Sequence, residues 1–161
     1  MNQIICKPIG VIHSPHKDPK KIPIQPVFAK GITGEVEVFE EYSKGLKDLE
    51  GFSHIYLFYF FHKAGMVHFT VKPFMEDVTR GVFATRSPAR PNKIGMSIVK
   101  LNGVNDNRLD IENVDILDGT PLLDIKPYTA KFDGVDVVRS GWQDDISDDA
   151  ANIRGKRGYK R

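Results

Sequence analysis

The clearest local pattern is Glu35-Val36-Glu37-Val38-Phe39, which alternates polar and apolar residues at a period of two. That is the pattern of a strand with one face in a core and the other in water. Ile55 to Phe61 is apolar and aromatic throughout. It is too short for a helix and reads as a strand covered on both faces. Ile4 to His13, Val67 to Val71, Gly81 to Thr85, Ile94 to Leu101, Leu109 to Ile116 and Leu122 to Ile125 add further β-rich runs. Asn105 to Arg108 has the composition of a hairpin turn between two of them. Only Tyr42 to Leu49 and Phe132 to Arg139 carry a helical pattern, and both are short.

Many short strands separated by turns, with few helices, predict an all-β domain, sandwiched or closed into a barrel. Closure removes exposed strand edges. A Rossmann-type nucleotide site is excluded by the missing GxGxxG motif and the missing βαβ rhythm, and there is no P-loop. Ser14 to Gly34 is the one long irregular stretch; Pro15, Pro19, Pro23 and Pro26 stiffen it. A loop of that length inside a domain points to function or to disorder, and the prolines favour function.

Length and composition then set the class. The 161 residues make one domain by the usual measure of roughly 100–200 residues. No stretch reaches the roughly 20 apolar residues that span a bilayer, and no signal peptide is visible. A cytoplasmic protein without a membrane partner is therefore expected. Cys6 is the single cysteine, so no internal disulfide or thiolate zinc site is expected, and its apolar neighbours predict burial. No metal-ligand spacing occurs anywhere. The net charge of +2 selects no partner, but Asp144, Asp145, Asp148 and Asp149 are followed by Arg154, Lys156, Arg157, Lys160 and Arg161. That switch reads as a flexible charged tail over residues 144–161, after a domain over 1–143. The charge, glycine and aromatic residues from Arg154 to Tyr159 suit RNA contact as well as a solvated terminus.

Four stretches carry candidate chemistry. In "KKIPIQP", residues 20–26, prolines bracket a single amide, Gln25, which suits either a small polar ligand or a rigid linker. "FFHKAG", residues 60–65, ends an apolar strand in His62 and Lys63, where pockets collect polar groups. In "RSPARPN", Pro88 and Pro91 hold the backbone extended, so Arg86 and Arg90 project with Asn92 from a loop that cannot become a helix. Arginine forks match carboxylates and phosphates, or salt-bridge a surface loop. In "DILDGTPLLDIKPY", residues 115–128, Asp124, Lys126 and Tyr128 alternate onto one face. They suit proton transfer, phosphate binding or a structural ion pair beside a tyrosine. No nucleophile triad can be assembled, so the chemistry should rest on a bound organic ligand.

"GVFATRSPARPNKIGMS" followed by "VDILDGTPLLDIKPY" resembles the TsaA-like, or TrmO, family of S-adenosylmethionine-dependent tRNA methyltransferases. "IGVIHSPHK", "PIQP" and "LEGFSHIYLFYFFHK" agree with it in order and spacing, over about residues 4–143. The resemblance implies a small single β-barrel with few short helices, active as a homodimer. It implies methyl transfer from S-adenosyl-L-methionine to N6 of N6-threonylcarbamoyladenosine beside the anticodon of tRNA. Carried over to this chain, it makes Pro23, Ile24, Gln25, His62, Lys63, Arg86 and Met96 cofactor-binding, with Glu112, Asn113, Val114 and Asp115 completing the pocket. Ile24 stands where the family often has arginine, so a side-chain contact there is lost. Asp124, Lys126 and Tyr128 are the expected catalytic groups, with Arg90 and Asn92 facing the RNA. Some family members add a C-terminal domain where this sequence has only the charged tail. A same-fold enzyme with another substrate, and a module that binds the cofactor or RNA without turnover, stay open as alternatives.

Overall fold

Eight strands account for most of the regular structure, and six of them close on themselves. The computed structural model describes residues 3–155. The strands are β1 (Gly10–His13), β2 (Thr33–Val38), β3 (His54–Phe60), β4 (Thr70–Val71), β5 (Arg80–Gly81), β6 (Ile94–Asn105), β7 (Arg108–Glu112) and β8 (Thr120–Pro127). The barrel order is β1-β2-β7-β6-β3-β8, every pair antiparallel, while β4 and β5 form a separate ribbon. The helices are α1 (Ala130–Asp133) and α2 (Asp148–Arg154), beside several 3₁₀ turns.

Alternation builds the core. Ile12, Val36, Ile55, Leu57, Val99, Leu109, Ile111 and Leu122 point inward and are fully buried. Burying each such side chain contributes about 1.5–3 kcal/mol, set against the entropy of ordering the chain. Between β6 and β7, Asp106 takes a φ of 53°, and the Asn107 amide donates to the Val38 carbonyl at 2.7 Å. The turn predicted from Asn105 to Arg108 is the β6–β7 hairpin.

Several expectations are corrected. Ile55 to Phe61 is not covered on both faces: Ile55, Leu57 and Tyr59 are interior, Tyr56 and Phe58 are half-buried, and Phe60 is exposed. β1 starts at Gly10, not Ile4; Ile4, Ile5 and Cys6 are exposed, because Pro8 offers no donor to continue a ladder. β7 ends at Glu112 because Asn113 adopts a φ of 68°. The Tyr42–Leu49 stretch is a pair of 3₁₀ turns broken at Asp48, whose φ is 66°. The helix expected at 132–139 stops at Asp133, before Gly134. Where the charge pattern alone gave a flexible tail, residues 148–154 form α2, capped by the Ser147 hydroxyl accepting from the Ala150 amide. Lys156, Arg157, Gly158, Tyr159, Lys160 and Arg161 lie outside the described residues.

The topology gathers three loops at one rim. β1, β3 and β7 end there and β2, β6 and β8 begin there, as the pairs His13–Glu35, Phe60–Ile94, Thr33–Glu112 and Ile12–Thr120 fix. Residues 14–32, 61–93 and 113–119 therefore meet over one end of the barrel.

Candidate functional site

The excursion between β3 and β6 leaves and re-enters the barrel at adjacent positions. The Phe61 amide donates to the Lys93 carbonyl at 2.8 Å, and Lys93 Nζ donates to the Ala64 carbonyl at 3.1 Å. That closed neck sets the 61–64 segment, with His62 and Lys63, at Lys93 and the start of β6, although the sequence separates them by some thirty residues. Within the excursion Arg90 holds the proline loop together. Its Nε donates to the Ser87 carbonyl at 2.9 Å, and Nη2 donates to the Thr85 and Val82 carbonyls at 2.6 and 3.2 Å. Arg86 is exposed and makes no bond to another described residue.

The 14–18 segment is zipped to the 114–119 turn. Ser14 Oγ donates to the Ile116 carbonyl at 2.6 Å, the Ser14 amide to Asp118 Oδ1 at 3.0 Å, and Lys17 Nζ lies 2.5 Å from Asp118 Oδ2. The Lys17 and Ser14 donors hold the Asp118 carboxyl below the usual carboxylate range. Pro23-Ile24-Gln25 is thereby laid over the rim, and the Ile24 amide donates to the Gly155 carbonyl at 2.9 Å.

Under these loops lies a cleft of about 300 Å³ whose walls include Pro23, Ile24, Gln25, Arg86, Met96 and Asp115, with Tyr59 and Phe61 beneath. This is the lower end of the size range of small-ligand sites. A second hollow shares Tyr59, Phe61 and Asp115 and adds His62, Lys63 and Thr120. A larger one, about 590 Å³, lies between the 40–46 segment and Ile125–Pro127. It includes Asp124 but none of the proline-loop arginines, so convergence of candidate groups, not size, singles out the rim.

The polar groups at the rim have fixed directions. Ser97 Oγ donates its one proton to Asp115 Oδ1 at 2.6 Å, so at 3.0 Å it accepts from the Tyr59 hydroxyl. Tyr59 and Ser97 are both buried, and the chain Tyr59–Ser97–Asp115 orients the carboxylate. A register shift in the β3–β8 pairing falls between Phe58 and Tyr59, as bulges beside functional sites do. Thr120 Oγ1 donates to the Leu117 carbonyl at 2.6 Å and so presents a lone pair to His62 Nδ1 at 3.4 Å. The His62 proton is therefore assigned to Nδ1 and Nε2 is an acceptor. Burial, then the charge of Lys63, pushes the imidazole below its ordinary pKa.

The other predicted residues lie elsewhere in the chain. Glu112 pairs with Lys100 at 3.2 Å, Asn113 accepts the Gly31 amide at 3.0 Å, and Val114 is buried. Of that segment only Asp115 lines the cleft. Asn92 is exposed and does not line it. Asp124 and Lys126 form an ion pair at 2.8 Å on the outer wall of the barrel, opposite Phe58 and Tyr56. Tyr128 packs edge-on against Tyr56 with centroids 5.5 Å apart. Within one chain they are not joined to the rim. The residues that the sequence reading missed are Tyr59, Phe61, Ser97 and Thr120. The available signal was a hydroxyl at an inward position of a strand, as at Ser97 between Gly95 and Val99. Among the described residues no cluster of three His, Cys, Asp or Glu side chains could hold a metal, and no helix is long and apolar enough to cross a membrane.

Residues 11–134 match the family described as the tRNA-methyltransferase O N-terminal domain. The chain belongs to that family. A probable S-adenosyl-L-methionine-binding protein of Pyrococcus abyssi is 59% identical over 140 residues, covering 86% of this chain and 76% of that one. The Escherichia coli tRNA (adenine(37)-N6)-methyltransferase is 39% identical over 138 residues, 80% of this chain and 59% of that one. The crystal structure of TrmO from Pseudomonas aeruginosa superposes with a TM-score of 0.73 at 38% identity, covering 88% of this chain and 63% of that one. The chain thus spans about three fifths of the length of those last two proteins. The TrmO-family match covers all three loops at the rim and every strand of the barrel except the first residue of β1.

Proposed function

We propose that this chain binds S-adenosyl-L-methionine at the barrel rim and methylates N6 of an adenine in tRNA, with N6-threonylcarbamoyladenosine beside the anticodon as target. The observation that carries the reading is the convergence of Gln25, Arg86, Met96 and Asp115 on one cleft in a chain of the TrmO family.

The residues present fit the cofactor. Pro23, Ile24, Phe61 and Met96 offer apolar walls for the adenine ring. Arg86, with its guanidinium unengaged among the described residues, suits the methionyl carboxylate. Asp115, fixed by Ser97, suits a cationic or hydroxyl group. When bound, the cofactor supplies an electrophilic methyl group on a sulfonium centre. Orientation of two reactants is worth about 7–11 kcal/mol in favourable cases, so positioning supplies much of the acceleration.

The target nitrogen loses one proton as it gains the methyl group. It belongs to a urea-like group and is more acidic than an ordinary adenine amine. His62 Nε2 is the acceptor offered beside the cleft, and a base of this kind contributes roughly 10²–10⁴-fold. Asp124, Lys126 and Tyr128 enter the reading through a second copy. The outer face of β3, β6 and β8 carries Tyr56, Phe58, Phe60, Ile94, Met96 and Tyr128, of which Phe60, Ile94 and Met96 are exposed. Ile94 and Met96 also edge the cleft. A homodimer through this face sets those three residues of one copy near the rim of the other. Sedimentation equilibrium should give twice the chain mass; a monomer that is fully active would remove them from the reaction. In this reading the protein works in the cytoplasm, on tRNA.

Mass spectrometry of tRNA nucleosides from cells with and without the gene tests the activity. Loss of the N6-methylated threonylcarbamoyl nucleoside is expected. An unchanged profile would turn the reading towards another substrate.

A further inference from the structure

Beyond residue 134, where the family match ends, the chain stays close to the rim. Trp142 lies in the 3₁₀ turn Gly141–Asp145, and its Nε1–H donates to the Ala84 carbonyl at 2.8 Å. Arg154 of α2 pairs with Asp77 at 3.1 Å. Gly155 accepts the Ile24 amide and lies so close to Phe28 that a Cβ there would stand 2.4 Å from the ring. These ties fasten residues 141–155 to both the proline-rich loop and the excursion.

Between them runs another cleft. It shares Ile24, Gln25 and Arg86 with the cofactor cleft, and Trp142 and Gln143 line it together with Pro88. Its chemistry differs from that of the rim hollow beside it. The rim hollow holds His62 and Asp115. This cleft has no carboxylate or imidazole among its lining residues, but it has an indole, two amides and the cations Arg86 and Lys72. Such a set cannot take a proton from a substrate. It can hold a flat heterocycle, hydrogen-bond its edge and attract a phosphate. The bond to Ala84 fixes the indole orientation in advance, so little ordering is left to binding. Lys72 is already paired with Asp77 at 3.2 Å, but an apolar peptide would still leave the two amides and the Arg86 guanidinium without partners among the described residues, so a nucleotide is the better occupant.

We propose that this cleft takes a nucleotide flanking the target adenosine, with its base stacked on Trp142 and its phosphate near Lys72. The target base itself enters on the His62 and Asp115 side of the cofactor. The proposal rests on the tRNA reading given above. It assigns residues 141–155 to substrate grip.

Trp142 is the only tryptophan in the sequence, so its emission reports on this cleft alone. A synthetic anticodon-arm RNA hairpin carrying N6-threonylcarbamoyladenosine at the target position is titrated into the full chain, with binding followed in parallel by anisotropy of end-labelled RNA. Saturable quenching over the same concentration range is expected, together with no comparable quenching by S-adenosyl-L-methionine alone. Trp142→Ala should weaken RNA binding roughly 5- to 150-fold, the equivalent of about 1–3 kcal/mol per stacked base. Trp142→Phe should stay within a few-fold of the parent, and calorimetric affinity for S-adenosyl-L-methionine should hold in both. RNA that binds and is methylated while emission stays unchanged overturns this proposal alone. RNA that neither binds nor is methylated overturns the tRNA reading with it. If Trp142→Ala loses affinity for both ligands through unpacking, the quenching of the unaltered protein decides.

Discussion

The ring of Tyr59 lies against the backbone of Gly95, its partner across the β3–β6 ladder, with no space for a side chain between them. A Cβ at position 95 would stand 2.2 Å from the ring. The same ring ends in the hydroxyl that bonds Ser97, so Gly95 determines where the Tyr59–Ser97–Asp115 chain sits. Gly95→Ala should push Tyr59 aside, lowering stability by about 1–3 kcal/mol, the usual cost of overpacking a filled site. Urea denaturation reads the stability. Calorimetry should show S-adenosyl-L-methionine affinity falling further than Gly81→Ala lowers it, since a Cβ at Gly81 meets nothing within 4 Å.

The two arginines of the proline loop should separate cleanly. Arg90 holds three carbonyls, which a lysine ammonium on a flexible stem cannot span. Arg90→Lys should therefore lower stability by about 1–3 kcal/mol and make residues 82–92 more open to proteolysis. Arg86→Ala should leave the thermal midpoint unchanged and weaken cofactor binding. A reversed pattern would exchange the roles given to the two residues.

His62 gives the acid side of the pH profile a direction. Its pKa is held below the ordinary 6.5 by burial first and by Lys63 second. If neutral His62 accepts the proton, activity falls as pH drops through that lowered value. Lys63→Met removes the Coulombic part, so the acid limb should move to higher pH, towards 6.5. Stability follows the same sign. The folded chain binds this proton less readily than the unfolded one, so stability declines as pH falls through the interval between the two pKa values. Initial rates across pH 5 to pH 8 with the parent and Lys63→Met proteins test the shift.

Much of the fold was legible because alternation is a local property. Val36 and Val38 announce an inward face, and Asn105 to Arg108 announces the hairpin that joins β6 to β7. The rim was less legible, because a closed neck of hydrogen bonds brings Phe61 and Ala64 against Lys93 across a thirty-residue excursion. Arg86 and Arg90 were equivalent as letters. Only the carbonyls of Val82, Thr85 and Ser87 distinguish the loop staple Arg90 from the exposed Arg86. Asp124, Lys126 and Tyr128 share a face as their spacing requires, but spacing cannot say whether that face looks into a cleft or onto the outside of a barrel. Ile4, Ile5 and Cys6 show the limit of reading burial from apolar letters, since Pro8 stops the strand that would have buried them.

Transfer of a labelled methyl group from S-adenosyl-L-methionine to purified tRNA tests the central claim most directly, with and without the threonylcarbamoyl group on the adenosine beside the anticodon. Label should appear at N6 of the threonylcarbamoyl-bearing tRNA only, and Arg86→Ala and His62→Gln should each reduce it at least tenfold. Equal labelling of both tRNAs, or no labelling while the cofactor binds at the rim, would contradict the account.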